Sequence, residues 1–418
     1  MAEQTSELST SAQLKSFFGQ KSFVLGMLAA AVLIGFRLLF FGGDKPLWID
    51  ERASVHTACG DSSLAYRSAS DLEAILEGNL SKGQLISKIF ESNIQNDRAN
   101  ALLYDYMLSV WMQVFGTSIL SCRAFSALLF LLCIPLVLHL GQKEKRFPLF
   151  LFLLLLANSL LCRYSMECRT YMLCTFFGLL ASIRFQALRV RPTWSGLLLY
   201  FLLLAAAFFS HYLSVLILAW HAAVILMFGS RREKVQASLS YAVFSVLILV
   251  LILLLDSKTG FIKSILLAKQ GIAERASTSI HFLPPSPLNL IKGLVQVFSQ
   301  ALGSSLQYLF QIRYFAVLLI LPLWLILKAR PFFREAGFKT WLTLPVVHAL
   351  FLCVIALLSG STTIFQLCYA MFVLPYYLVL LQKCAYSGAG AKQASVYLMQ
   401  GSIVLISCAD SLAYLLKH

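Results

Sequence analysis

The chain has 418 residues and a mass of 46.6 kDa, and its composition excludes an ordinary soluble protein. Apolar residues make up 59% of it, charged residues only 13%, and the mean hydropathy is +0.77, whereas a soluble chain carries roughly 25% charged residues. The net charge of +15 is concentrated in short loops between apolar runs. That pattern is typical of cytoplasmic loops, so the charge indicates topology and not a nucleic-acid partner.

The apolar segments predict an all-α polytopic membrane protein of about 11 transmembrane helices. A cytoplasmic tail (1–21) precedes a single transmembrane domain (22–418), and no soluble domain follows the last span. With the N-terminus inside, the loops rich in Lys and Arg face the cytoplasm. The predicted spans are 22–41, 121–140, 147–162, 170–188, 194–210, 212–228, 237–255, 313–328, 341–359, 364–382 and 395–416.

The first outer loop (42–120) contains patterns typical of amphipathic interfacial helices. Asp71 is predicted to cap one of them, and a second follows from Ser81. The apolar stretch 101–116 is too short to span a bilayer and carries Asp105 in its first turn. It is therefore predicted to be a re-entrant or interfacial helix.

The second long outer segment is predicted over 256–312. Pro284, Pro285 and Pro287 break it before an amphipathic stretch at 288–309. No internal repeat relates the two halves of the chain, whereas many transporters consist of two related halves.

Ionisable residues at the outer ends of spans are the first candidates for function, because they cost free energy there unless they line a wet cavity. Asp50 and Glu51 follow the first span closely. On an extended loop, neighbouring side chains point to opposite sides. One could then act as a base while the other holds the loop through a cation. The alternative is a solvated acidic turn.

A second candidate is the outer connection 163–171, which contains Arg163, Glu167 and Arg169. The planar guanidinium suits phosphate, and the carboxylate could bind a metal ion or a sugar hydroxyl. The alternative is an Arg–Glu pair that fastens two helix ends. The third candidate is the turn with His211 and Tyr212, where the histidine could equally be a hydrogen-bonded interfacial residue.

In their order along the chain these pieces resemble the GT-C superfamily of polyprenyl-phosphate-sugar-dependent glycosyltransferases. The likeness is to the bacterial group similar to protein mannosyltransferases and the lipid A aminoarabinose transferase. The matching segments are Trp48-Ile49-Asp50-Glu51, Asp97 to Tyr104, Trp111, Phe115-Gly116, Ser121-Cys122-Arg123, Arg163 to Tyr171, His211-Tyr212 and Tyr369 to Pro375.

The resemblance implies roles for individual residues. Asp50 would be the general base, with Glu51 beside it in the catalytic pair. Glu167 and His211, with Asp50, would hold a divalent metal ion, a requirement that the sequence leaves open. The implied substrate and phosphate contacts are Arg98, Asn100, Tyr104, Arg163, Arg169 and Tyr212.

Two positions depart from the family pattern. Cys368 stands where the family often carries an arginine that faces the lipid phosphate. The segment Arg98-Ala99-Asn100-Ala101-Leu102 replaces a His-Pro-Pro motif. Phosphate binding would then have to come from other residues or be weaker.

The predicted function is transfer of a sugar from a polyprenyl-phosphate donor to a hydroxyl of a glycan, lipid or protein acceptor. Inversion is expected, because no second carboxylate at nucleophile spacing is evident. The predicted location is a bacterial inner membrane, with the site facing the periplasm. The alternatives are a multi-span transporter or flippase of envelope glycolipid or polymer, and an O-antigen polymerase, ligase or assembly subunit.

Overall fold

The computed structural model describes residues 21–43, 46–63, 65, 67–97, 100–141, 148–259, 284–303, 336–359, 371–387 and 404. These residues are almost entirely helical and contain no strand. The first helices are α1 (Lys21–Phe41), α2 (Ile49–Ala58), α3 (Ala69–Ser81), α4 (Leu85–Asp97), α5 (Leu102–Phe115) and α6 (Ile119–Gly141). The others are α7 (Leu149–Ala157), α8 (Ser159–Ser165), α9 (Tyr171–Val190), α10 (Trp194–Ser210), α11 (Val215–Phe228), α12 (Arg231–Thr259), α13 (Pro287–Gly303), α14 (Ala336–Ser359) and α15 (Leu374–Ser387).

Several helices have the length and composition of membrane spans. Five described helices (α1, α6, α9, α12 and α14) are long and apolar enough to cross a bilayer, and two shorter apolar helices cover Trp194–Ser210 and Tyr212–Phe228. The chain is therefore a membrane protein with an all-helical fold. The total of about 11 spans stays a prediction, because 313–328, 395–416 and most of the first half of 364–382 lie outside the described residues.

The first predicted outer loop consists of four short helices, α2 to α5. Ser68, and not Asp71, caps α3: its hydroxyl accepts from the Asp71 N–H at 3.2 Å, and the Asp71 carboxylate accepts from the Ser68 N–H at 3.0 Å. This reciprocal pair is a capping box, in which the acid belongs three residues inside the helix. The second helix begins at Leu85 and not at Ser81.

Helix α5 agrees with the prediction of a helix that does not span. Its 14 residues correspond to about 21 Å at 1.5 Å per residue, less than the roughly 30 Å of a bilayer core. Asp105 lies in its first turn and is buried. The residue before the helix, Ala101, has a left-handed φ of 61°, a conformation that costs non-glycine residues free energy and tends to occur at functional sites.

The predicted span 147–162 is wrong as a single helix. The chain ends α7 at Ala157 and begins α8 at Ser159. Asn158 makes the break, because its side-chain oxygen accepts from the Leu161 N–H at 3.0 Å and so caps α8. The freed carbonyl of Leu156 accepts from the buried Arg37 at 2.8 Å. The polar cap at Asn158 therefore divides a strongly apolar run into two helices.

Helix α6 is central and packs against α1, α5, α9 and α15. Helices α9 and α10 form an extensive pair, and α11 packs against α14. Their alternating directions bring the connections 163–171 and 210–214 to one end of the bundle, and α2, α4 and the start of α5 pack there as well. That end contains all three candidate regions.

A chain of hydrogen bonds crosses the interior of the bundle. The Tyr200 hydroxyl lies 3.0 Å from His221 Nδ1 and 3.3 Å from the Tyr241 hydroxyl. The Ser182 hydroxyl lies 3.1 Å from His221 Nε2 and 2.9 Å from the Tyr376 hydroxyl. Five helices are thus joined by polar groups where unpaired ones would be costly.

Candidate functional site

Glu51 is an anchor for the segment that carries Asp50. Its side chain is fully buried and forms a two-point ion pair with Arg123, with Nη2–Oε2 at 2.6 Å and Nε–Oε1 at 2.9 Å. The Cys168 N–H donates to Oε1 at 2.9 Å, and the Trp48 N–H donates to Oε2 at 3.4 Å. With both oxygens occupied, Glu51 is placed to hold structure, and its catalytic role stays a prediction.

The prediction of an extended loop around Asp50 and Glu51 is wrong. Both residues lie in the first turn of α2, where consecutive side chains differ by about 100° around the helix axis. One half of the division of roles expected of an extended loop is present, because Glu51 holds the segment through Arg123. Asp50 is half-buried, and its role as a base stays a prediction. The Asp50 carboxylate makes no hydrogen bond to a residue that the structure describes.

Arg169 lies next to Asp50 and is 8% exposed. Its Nη1 donates to the Asp50 carbonyl at 2.9 Å and to the Ser54 hydroxyl at 3.0 Å. Its Nε is buried and has no partner within the described ranges. Burial alone would lower the pKa of Arg169, but Asp97, Tyr171 and Asp50 raise it well above its ordinary value. The guanidinium is therefore a fixed cation with a spare donor.

Two acids that sequence reasoning did not select complete this region. Burial raises the pKa of Asp97 to about 6, against the attraction of Arg169, and the charge of Asp50 adds to the rise. Burial and then repulsion by Asp97 raise the pKa of Asp105 well above its usual range. Asn93 donates from one amide nitrogen to the Asp105 carboxyl at 2.7 Å and to the Asn100 carbonyl at 2.6 Å.

We call Arg169, Asp50, Asp97, Asp105 and His211 the Arg169 cluster. An acid in the first turn of an apolar helix was the signal in the sequence for Asp105, since a buried carboxyl there needs a partner. Asp97 appeared in the sequence only as the first residue of the matching segment 97–104, and no role was assigned to it there.

His211 is buried beside Tyr171, with ring centroids 5.8 Å apart. Its Nδ1 accepts from the Leu213 N–H at 3.3 Å. Burial and then the charge of Arg169 lower the pKa of His211 to about 3, so the ring is neutral at physiological pH. His211 is therefore hydrogen-bonded, as its alternative interpretation expected, and its position at a membrane interface stays a prediction.

Glu167 and Arg163 form the internal pair that the sequence left open. Arg163 Nε donates to Glu167 Oε1 at 2.7 Å, and the guanidinium lies 6.0 Å from the centre of the partly exposed Trp48 ring. Burial raises the pKa of Glu167, against the attraction of Arg163. Glu167 Oε2 is buried without a hydrogen-bond partner in the described part of the chain.

Asn100, Tyr104 and Tyr212, which were predicted to contact substrate, have different surroundings. Asn100 is buried, and its side-chain oxygen accepts from the Tyr212 N–H at 3.4 Å, while the Tyr212 side chain is exposed. Tyr104 is fully buried, with its hydroxyl 3.3 Å from Cys168 Sγ and 3.5 Å from the Ser126 hydroxyl. This gives Tyr104 a packing role, and its contact with substrate stays a prediction.

Arg98 and Cys368 lie outside the described residues. Within the described ranges, no three His, Cys, Asp or Glu side chains are grouped closely enough to hold a metal ion. The predicted set of Asp50, Glu167 and His211 is therefore not assembled as a metal site here, and the divalent ion stays a prediction.

An apolar groove of about 270 Å³ begins beside the 210–214 turn. It lies between α10, α11 and α12, and Ser214 stands at its end nearest the turn. The groove is lined by Leu204, Phe208, Ser214, Val215, Leu218, Phe244, Ser245, Ile248, Leu249 and Ile252.

The three sequence candidates thus meet at one end of a helical bundle, around a buried arginine. Asp50 and Arg169 are in direct contact through the Asp50 carbonyl, and Thr170 donates to the carbonyl of Ser210, next to His211. Comparison of the chain with known family models, curated proteins and solved structures finds no match.

Proposed function

We propose that the protein is a membrane glycosyltransferase that moves a sugar from a polyprenyl-phosphate donor to an acceptor hydroxyl. The observation that carries the proposal is that Asp50, a half-buried carboxylate, lies beside the buried guanidinium of Arg169, which donates to the Asp50 backbone carbonyl at 2.9 Å. A carboxylate that makes no hydrogen bond to a described residue can accept a proton, and a buried arginine with a spare donor suits a phosphate oxygen.

In the proposed reaction the acceptor hydroxyl loses its proton to Asp50 as its oxygen attacks the anomeric carbon. The bond between that carbon and the phosphate oxygen breaks, and the polyprenyl phosphate leaves with the electron pair. Arg169 stabilises the charge that develops on the leaving oxygen. Attack opposite the leaving group gives inversion, and a general base contributes about 10²–10⁴-fold to the rate.

The groove beside the 210–214 turn supports a lipid-linked donor. Its walls are apolar apart from two serines, so they suit an isoprenoid chain. One of its lining residues, Ser214, closely follows His211 and Tyr212 in the chain. A donor with its tail in the groove would bring its phosphate toward the Arg169 cluster. The hydroxyl of Ser214, buried without a hydrogen-bond partner within the described ranges, stands where the head group would pass.

A divalent ion is not needed for the steps above. Glu167 and His211 could each supply one ligand, but Glu167 already pairs with Arg163, and the described side chains form no group of three. We derive no step through a metal ion.

The proposed orientation places the Arg169 cluster outside the cytoplasm, in the periplasm of a bacterial inner membrane. The basic residues Arg184, Arg189, Arg191, Arg231, Arg232 and Lys234 lie at or near the other ends of α9 and α12 and in the connections there. Short basic connections favour the cytoplasmic side. The cluster, which lies at the opposite end of α9, would then face outward.

The test is transfer by the purified protein from a panel of polyprenyl-phosphate sugars to glycan, lipid and peptide acceptors. We expect Asp50→Asn to lose about 10²–10⁴-fold in turnover without a change in melting temperature. Glu73→Gln is the matched control, because Glu73 is an exposed carboxylate in the same predicted outer segment. Turnover by Asp50→Asn equal to that of the control would refute the mechanism.

One observation favours the alternative of a transporter. The hydrogen-bonded chain from Tyr241 through His221 to Tyr376 places polar groups inside the bundle, as transport pathways do. A transporter would move a labelled lipid-linked sugar across a vesicle bilayer without breaking the sugar–phosphate bond. Movement that depends on His221 and is unaffected by Asp50→Asn would favour this alternative.

A further inference from the structure

A second cavity lies at the end of the bundle opposite the Arg169 cluster. Its volume is about 450 Å³, and it is formed where the end of α9 meets the starts of α10 and α12. Tyr171 and Arg189 lie at opposite ends of α9, 18 residues apart, which corresponds to about 27 Å along a helix. The cavity is therefore separate from the proposed catalytic site.

The mouth of this cavity carries a positive charge that no described acid neutralises fully. Arg189 and Arg232 both line it and are exposed. Among the described residues that line it there is one acid, Glu233. Its Oε2 accepts from the Ser230 N–H at 2.6 Å and so caps α12, and its charge also attracts Arg189, so one of the two guanidinium charges stays in excess. A guanidinium pair from two different helices is a suitable receptor for a phosphate group.

The interior of the cavity is amphipathic. Phe185, Leu188 and Leu197 supply apolar wall, and Trp194 stands at the rim with 88% of its surface exposed. Tryptophan is enriched at the level of lipid head groups. Deeper in, the Tyr241 hydroxyl joins the chain through Tyr200 and His221, so the floor is polar.

We infer that this cavity binds an anionic phospholipid of the surrounding bilayer. The phosphate lies between Arg189 and Arg232, the acyl chains follow the apolar wall, and Tyr241 faces the ester oxygens. Charge complementarity selects this occupant over a zwitterionic lipid, because basic pockets between membrane helices bind acidic head groups. The inference does not depend on the proposed glycosyl transfer.

The test is native mass spectrometry of the full chain taken from vesicles of mixed phosphatidylglycerol and phosphatidylcholine. The wild type is expected to retain phosphatidylglycerol in preference to phosphatidylcholine. The double variant Arg189→Gln/Arg232→Gln is expected to lose that preference by roughly tenfold or more. Tyr241→Phe should weaken retention less, since it removes one hydroxyl and no charge.

The matched control is Arg191→Gln/Arg231→Gln. It removes the same charge from neighbouring positions in the chain, but neither residue lines the cavity. Retention in this control should stay within about twofold of the wild type. An equal loss of phosphatidylglycerol preference in both double variants would mean that a diffuse basic surface, and not this cavity, binds the lipid. If the wild type retained both lipids in proportion to their abundance in the vesicles, there would be no selection of the head group. Either result would overturn the inference.

Discussion

Arg123 and Glu51 are 72 positions apart in the chain and form a two-point ion pair with no exposed carboxylate surface. The same guanidinium donates to the Gly42 carbonyl at 2.7 Å and to the Pro46 carbonyl at 3.4 Å. One side chain on α6 therefore fixes the start of α2 and the segment that precedes it. The position of Asp50 depends on this contact.

We expect the loss of either partner of this pair to destabilise the fold strongly. Glu51→Leu leaves a buried guanidinium without its carboxylate, and Arg123→Met leaves a buried carboxylate without its cation, each at a cost of about 3–5 kcal/mol. The double variant should be more stable than either single variant, because no charge is left uncompensated. Thermal unfolding in detergent measures all three. If the double variant lost as much free energy of unfolding as the two single variants together, the pairing of Glu51 with Arg123 would be contradicted.

Arg169→Lys tests the geometry of the guanidinium separately from its charge. Lysine keeps a cation near Asp97 and Asp50, so the melting temperature should stay close to that of the wild type. It cannot reproduce the Nη1 contacts with the Asp50 carbonyl and Ser54 together with a second donor for phosphate. We expect turnover to fall by roughly 10²-fold.

Arg67→Lys is the control for this substitution, because Arg67 pairs with Asp61 and is 37% exposed. It should leave both turnover and melting temperature unchanged. Full activity of Arg169→Lys would show that only charge matters at this position, and the proposed phosphate contact would then be wrong.

The meeting of the three candidate regions could be predicted by counting spans, since alternate connections of a helical bundle lie on the same side. The helical conformation of Asp50 could not, because the residue before α2 is Trp48 and not one of the usual capping residues. Its first turn is held by Glu51 and Arg123, a contact across the fold that no local pattern reports. Sequence patterns thus predicted which regions meet in the candidate site, but not the contacts that shape it.

The pKa of Asp97 predicts a specific dependence of stability on pH. The folded-state pKa is about 6, above the ordinary 3.8, so the folded protein holds a proton that the unfolded chain has released. The contribution of Asp97 to the free energy of unfolding is fully present below pH 3.8 and is lost as the pH rises toward 6. Above about pH 6 it no longer changes with pH. The melting temperature of the wild type minus that of Asp97→Asn should therefore fall across this window.

Asp71→Asn is a control of opposite sign. Hydrogen bonds from Ser68 lower the pKa of the exposed Asp71, so its stabilising effect is present at neutral pH and is lost as the pH falls. The difference between wild type and Asp71→Asn should rise with pH. If the Asp97→Asn difference also rose with pH, the Asp97 carboxyl would be stabilised in its charged form, contrary to its burial.

The break between α7 and α8 gives the last prediction. Asn158→Ala removes the cap on the Leu161 N–H and inserts a better helix former into an apolar run, so it tests whether the cap holds the break. We expect a loss of about 0.5–2 kcal/mol in the free energy of unfolding. Asn158→Ser should restore most of it, because serine also caps. Thr193→Ala removes the cap on the Gly196 N–H of α10, and its loss in the free energy of unfolding shows how much one such cap contributes in this protein. An unchanged or more stable Asn158→Ala variant would mean that the apolar run can close into one continuous helix, as its sequence alone suggests.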